Sequence, residues 1–367
     1  MIESIEVRLI NLPLVEHFET SFGRVEEREI ILLIFRGDGI IAFSECTTDK
    51  VPLYSYEDNK TALHIIEDYL IPIILNEGIN EPEVLNKRVK FIKGHNMAKA
   101  AVELGLWDYK AKRLGKSLFE IWGGAKDKVL SGVSIGIKYN IEELIETIQR
   151  RIDEGYKRIK LKIKHGKDIK IIEKVRQQYP KILLSVDGNC AYNYNDNDIF
   201  RELDKYDLMM IEQPFAYNDL YFHSLLQKEI KTDICLDESI TDTNRMMEAI
   251  KLKSGKVVNI KVGRVGGFIE AENIRNICQE NMIPVWCGGM LESGVGRAFN
   301  IILASLRNFI LPNDISETRR YWRKDIIDYE YRIRDGCIEV PKGIGIGVNL
   351  DLSYIDHCTI MRKEYSK

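Results

Sequence analysis

The sequence predicts an α/β protein: a closed, TIM-like (β/α) barrel carrying an α+β unit built from the N-terminal part and the C-terminal tail. Three observations predict it. From about Val129 onward, short apolar runs alternate with amphipathic helical stretches. Eight such runs and seven intervening helices can be counted. The charged residues that end five consecutive runs, Lys162, Asp187, Glu212, Asp237 and Lys261, stand 25, 25, 25 and 24 residues apart. One βα unit of a barrel takes about this length, since ~250 residues cover eight units.

The first ~125 residues have a different rhythm. Ile5 to Leu14 reads as a strand, and Glu29 to Arg36 and Ile40 to Glu45 flank Gly37-Asp38-Gly39, a hairpin signal. Helical patterns follow around Asn59 to Leu75 and from Met97 to Leu114, the second stopped by Gly115. Polar connections from Phe22 to Glu27 and from Thr47 to Tyr56 are expected to act as lids.

The barrel runs are GVSIGI, RIKLKI, ILLSVDG, LMMIEQP, DICLDES, VVNIKVG, IPVWCGG and FILP. Strand–helix alternation of this regularity predicts right-handed crossovers and a parallel sheet. An open, doubly wound sheet is the alternative, but GVSIGIKYN is a poor G-x-G-x-x-G and no better dinucleotide fingerprint follows an early strand. After Pro312 the alternation stops, and the tail with KGIGIGVNLD is expected to return to the N-terminal unit. The expected division is 1–125, 126–312 and 313–367.

Composition narrows the function classes. A net charge of −3 without a long basic run lacks the footprint of a nucleic-acid binder. The longest purely apolar run, Ile30 to Phe35, is too short to span a bilayer, and MIESIEVRLI has no secretory pattern. Seven cysteines, none spaced as CxxC, point to reduced thiols and a cytoplasmic location.

The residue types at the strand ends set the chemistry. A single Asp there is commonly a helix cap, but five charges of both signs in register fall where a barrel assembles its active site. Three converging carboxylates need a cation, and all-oxygen ligands suit a hard divalent ion such as Mg²⁺, with Mn²⁺ as a substitute. Lys162 and Lys261, from strands two and six, would flank whatever the ion holds. A lysine acts as a base only when neutral, and Lys160, on the same strand face as Lys162, is expected to lower its neighbour's pKa. Lys164 lies past the strand end and is expected to be solvated. Such a site suits removal of a proton from carbon beside a carboxylate, giving a metal-stabilised enediolate.

At these residues the sequence resembles the enolase superfamily, in its muconate-lactonizing-enzyme-like subgroup, whose described solution is a Lys or His base with Mg²⁺. It is most similar to the o-succinylbenzoate synthase / N-succinylamino acid racemase group in FETSFG (18–23), NMAKAAVELGLWDYKAKRLGKSLFEIWGG (96–124), YKRIKLKIKHG (156–166), VWCGGMLESGVGRAFNIILASLRNF (285–309) and ETRRYWRKDI (317–326). The resemblance implies a capping domain over a (β/α)₇β barrel, a metal at Asp187, Glu212 and Asp237, and Lys162 and Lys261 as the acid/base pair. It implies supporting roles for Lys160, Asn189 and Arg264. Substrate contacts are implied at Ser21, Phe22, Gly23 and Tyr54 in the capping loops and at Ser134, Gly289 and Met290 in the barrel. Gly188 departs from the pattern, since relatives more often have Ala there. The small-molecule substrate implied is a carboxylate, and the assembly a homo-oligomer. The implied activity is first the syn dehydration of an o-succinylbenzoate synthase on the menaquinone pathway, alone or in a bifunctional protein, with racemisation of N-acylated amino acids as the alternative. Arg264, after Lys261, tilts toward racemase competence, because a guanidinium beside Lys261 is expected to keep it partly neutral. A dipeptide epimerase ranks third, since MLESG replaces its usual acidic pair. A non-catalytic scaffold ranks last, since every ligand and lysine is present.

Overall fold

A computed structural model of the chain describes residues 1–21, 23–166 and 168–367. Strands β1 (Ser4–Thr20), β2 (Gly23–Gly37) and β3 (Ile40–Cys46) form an antiparallel sheet. The apolar run of β2 has no polar alternation because both its faces are covered. Ile30, Leu32 and Ile34 pack into the core shared with the barrel, and Ile31, Leu33 and Phe35 into the core of the N-terminal unit. Asp38 and Gly39 turn the β2–β3 hairpin with φ of 51° and 71°, the positive values that a two-residue type I′ turn requires. β1 runs further than Leu14: after a register break between Pro13 and Phe18 it pairs Phe18 with Val25 and Thr20 with Gly23. Residues 23–27 are therefore the end of a long hairpin and not a loose lid.

The helix Asn96–Arg113 lies across this sheet. Its Gly105 is required by close packing, since a Cβ there would overlap the Phe35 ring. Gly115, at φ 63°, follows as the left-handed stop that the sequence predicts.

Strand β4 (Lys128–Leu130) leads into β5 (Gly132–Ile135), β6 (Arg158–Lys162), β7 (Leu183–Asp187), β8 (Met210–Glu212), β9 (Ile234–Leu236), β10 (Val257–Ile260) and β11 (Val285–Cys287). β5 to β11 are parallel neighbours in chain order, with the expected helices between them. The eighth run differs from expectation. It forms no regular strand, and Pro312 has no N–H to offer a ladder. Residues 309–314 instead bridge the two edges of the sheet: Val285 pairs with Phe309 and Ser131 with Asn313. Gly132 N–H donates to Asn313 O at 2.7 Å and Asp314 N–H to Cys287 O at 2.9 Å, which closes the barrel.

In the tail, β12 (Ile333–Arg334) and β13 (Cys337–Glu339) form a hairpin that pairs with β4. β14 (Thr359–Ser366) pairs antiparallel with β1, Ser366 against Ser4. No helix among the described residues is long and apolar enough to cross a membrane.

Candidate active site

Period-two alternation turns Lys160 and Lys162 to one face of β6 and Ile159 and Leu161 to the other. Lys160 is buried, and its ammonium lies 4.8 Å from the centre of the Trp286 ring. Trp286 packs with Met210, Cys235 and Val257 in a small apolar cluster. Register then aligns the strand ends, with Lys162 beside Asp187 and Asp187 beside Glu212. The five residues of the 25-residue ladder thus meet at one rim.

Each carboxylate there is held by cations. Asp187 Oδ2 lies 2.7 Å from Lys162 Nζ and 3.2 Å from Lys160 Nζ. Glu212 Oε2 lies 2.7 Å from Lys160 Nζ, and its Oε1 accepts a hydrogen bond from Asn259 at 2.8 Å. Asp237 Oδ2 lies 2.8 Å from Lys261 Nζ, while Oδ1 accepts from Arg264 and, at 2.9 Å, from the Tyr54 hydroxyl. That hydroxyl in turn accepts from Lys261 Nζ at 3.1 Å.

Above these groups opens a cavity of about 840 Å³. Lys162, Lys261 and Asn189 lie at its base, Gly289 and Met290 on the barrel side, and Gly23 and Tyr54 on the N-terminal side. The sequence expectations are not all met there. Ser134 does not line the cavity, and its hydroxyl donates to Asp314 at 2.9 Å. Ser21 does not line it either, and its hydroxyl lies 3.5 Å from Asn189 O. Phe22 lies outside the described residues. Lys164 is exposed beyond the end of β6.

The electrostatics follow from these pairings. Burial alone would lower the pKa of Lys160, but Asp314, Glu212 and Asp187 hold it well above its ordinary value. Lys160 therefore carries its charge against three carboxylates at once. Lys261 is likewise held well above its ordinary value, against burial, by Asp237, Tyr54 and Glu238. Arg264 and Lys261 share Asp237, Arg264 on Oδ1 and Lys261 on Oδ2. Burial, and then the charge of Asp187, push Glu212 up to about 7. Asp187, despite burial, is held low by Lys162 and Lys160.

The ladder also passes over residues that belong to the site. Asp314 sits on the closing segment, outside the strand spacing. Glu238 follows Asp237, and Asn259 shares a strand face with Lys261 through the same alternation that links Lys160 to Lys162. That alternation is the signal by which Asn259 is legible.

Residues 143–354 match the family model described as Enolase C-terminal domain-like, and residues 4–123 match that of the mandelate racemase / muconate lactonizing enzyme N-terminal domain. The chain belongs to the enolase superfamily. It is 43% identical over 367 residues to an o-succinylbenzoate synthase of Geobacillus stearothermophilus, covering 100% of this chain and 98% of that protein. It is 40% identical over 365 residues to an N-succinylamino acid racemase of Thermus thermophilus, covering 100% of this chain and 99% of that one. A crystal structure of an enolase-superfamily member from Listeria innocua superposes with a TM-score of 0.95 at 40% identity, covering 100% of this chain and 99% of that one.

Enzymes of this branch of the enolase superfamily are generally divalent-metal dependent. Among the described residues, no three carboxylate, histidine or cysteine side chains form a ready-made metal cage. Ammonium groups occupy the space between the carboxylates. The donor set nonetheless fits a hard cation. Asp187, Glu212 and Asp237 supply only oxygen, and the charges of Asp187 and Asp237 both raise the proton affinity of Glu212. Beside them, Glu238 Oε2 and Asn189 Oδ1 are buried without a hydrogen-bond partner.

Proposed function

We propose that this enolase-superfamily chain removes the proton α to a carboxylate, and that its principal reaction is that of an o-succinylbenzoate synthase, a syn dehydration in menaquinone biosynthesis. One observation carries the reading. Two lysines from β6 and from the end of β10, on opposite sides of the barrel, reach the base of one cavity, where Asp187 pairs with one and Asp237 with the other. The full-length identity to the Geobacillus synthase supports the assignment.

Asp187, Glu212 and Asp237 would hold Mg²⁺, for which Mn²⁺ can substitute. The bound cation supplies the positive charge that makes a C–H beside a carboxylate acidic enough for an amine to deprotonate. Lys162 Nζ takes that proton and returns it to the departing hydroxyl. Lys261 stays cationic across the cavity, beside the developing negative charge, and Tyr54 and Arg264 fix its neighbour Asp237. Asn189 supports the ligands, since its N–H donates to Asp187 Oδ1 at 2.9 Å. Gly23, Tyr54, Gly289 and Met290 wall the substrate. Residues 1–125 with 313–367 would form the capping unit and 126–312 the barrel, the start of the tail, Asn313 and Asp314, closing that barrel. The seven unpaired cysteines accord with a reducing, cytoplasmic setting.

N-succinylamino acid racemisation is the second reading, favoured by a lysine on each side of the cavity and by the Thermus relative. Two assays on the purified protein with Mg²⁺ test both. Loss of cyclohexadiene absorbance from the synthase substrate is expected. Exchange of the α-proton of N-succinyl-phenylalanine in D₂O is expected if racemisation accompanies it. A protein inert in both assays would sink the proposal.

A further inference from the structure

The three site lysines are not equivalent in their partners. Lys162 pairs with Asp187 at 2.7 Å and Lys261 with Asp237 at 2.8 Å, both carboxylates of the proposed ligand set. Lys160 pairs with two members of that set, Glu212 at 2.7 Å and Asp187 at 3.2 Å. It also pairs with a carboxylate outside the set, Asp314, at 2.6 Å.

Asp314 is firmly placed. Its N–H donates to Cys287 O on β11, so the segment that closes the barrel carries it inward. Oδ1 pairs with Arg158, which is fully buried and stacks on Trp286 at 4.4 Å. Oδ2 takes Lys160 and the Ser134 hydroxyl. No swing of Asp314 toward water is open without breaking all of these contacts.

A divalent cation entering at Asp187, Glu212 and Asp237 must take oxygens that ammonium groups now hold. Lys162 and Lys261 line the cavity and can turn toward substrate. Lys160 does not line it, and a buried ammonium stripped of its counter-ions is costly. We infer that Asp314 is a positioning residue: it is the counter-ion onto which Lys160 withdraws when a divalent cation occupies Asp187 and Glu212. Asp314 would then keep Lys160, like Arg158, charged and paired, and the two outer lysines would be released for chemistry. The inference rests on the metal-dependent reading proposed above.

Calorimetric titration of chelator-stripped protein with MgCl₂ tests it without any turnover. Asp314→Asn is expected to weaken Mg²⁺ binding by about 10- to 100-fold, because Lys160 would then hold Glu212 against the ion. Asp314→Glu, which keeps the charge, is expected to retain most of the affinity. In a Lys160→Met background, Asp314→Asn is expected to change the affinity little, since the residue acts through that lysine. Equal affinities in wild type and Asp314→Asn overturn the inference, as does an undiminished loss in the Lys160→Met background. Should Asp314→Asn fail to fold, a crystal structure of the wild-type chain with Mg²⁺ and no substrate decides. Lys160 Nζ is expected on Asp314 and clear of Glu212, and finding it still on Glu212 overturns the inference. A wild-type chain that binds no divalent cation overturns the metal-dependent reading itself, a result distinct from metal binding that ignores Asp314.

Discussion

Lys162 and Lys261 stand on strands separated by three others, so in a closed eight-part barrel they approach a substrate from opposite sides. Their surroundings differ. Lys261 shares Asp237 with Arg264 and touches Tyr54, whereas Lys162 has Asp187. The proposed roles differ in the same way, with Lys162 as the base and Lys261 as a cation in dehydration or a second base in racemisation. Lys162→Ala is therefore expected to lower both activities by roughly 10³-fold, through loss of the proton acceptor. Lys261→Arg keeps a positive charge but cannot deprotonate, so racemisation should stop while part of the dehydration survives. Rate measurements of both reactions on each variant check this, and equal loss of the two activities in Lys261→Arg would contradict the division of labour.

Secondary-structure elements are tied across the N-terminal unit and the barrel by buried acids. Glu103, on the helix Asn96–Arg113, accepts the N–H of Ile269 at 3.0 Å and so caps the barrel helix Phe268–Glu280. Burial pushes Glu103 up to about 7 from 4.5, against the hydrogen bonds of Ile269, Asn86 and Trp107. The folded chain then binds a proton that the unfolded chain has already lost between these two values. Stability from this group is present below pH 4.5 and is lost as pH rises toward 7. Glu103→Gln removes that dependence and should flatten the fall in stability across the window by on the order of 3 kcal/mol. Denaturant unfolding of both proteins at the two ends of the window measures it, and parallel curves would refute it. How much of these elements could be read from the chain follows from their regularity. The strand ends were legible because βα units of 24 or 25 residues bring their closing charged side chains to one rim. Asp314 was not, because it lies on a segment held by isolated bridges, without a period to mark it. Nor was the extension of β1, since Phe18 to Thr20 pair only after a register break that no alternation announces. The third partner of Lys160 was hidden for a related reason: Asp187 and Glu212 lie on the ladder, but Asp314 lies 154 positions along the chain, and nothing local to β6 encodes it.

At the scale of the whole molecule, the cavity belongs to neither unit alone. Its base comes from barrel strands, and its wall from β2, the 47–56 connection and the loop after β11. Arg28, buried on β2, joins these parts. Its guanidinium pairs with Asp49, donates to Thr47 O at 2.8 Å, and reaches Met290 O at 3.3 Å on the barrel side. Each such bond fixes a piece of wall, not a reacting atom, so its loss should loosen ground state and transition state alike. Hydrogen bonds to a charged group are worth about 1.5–3 kcal/mol each, enough that Arg28→Met should raise KM by roughly tenfold. The same substitution should leave kcat within about threefold, because Lys162, Lys261 and the carboxylates keep their own contacts. Steady-state kinetics with the better of the two substrates separates these quantities. A collapse of kcat at unchanged KM would mean that Arg28 reaches the chemistry directly, and that the wall and the base of the cavity are not the separate structures their contacts describe.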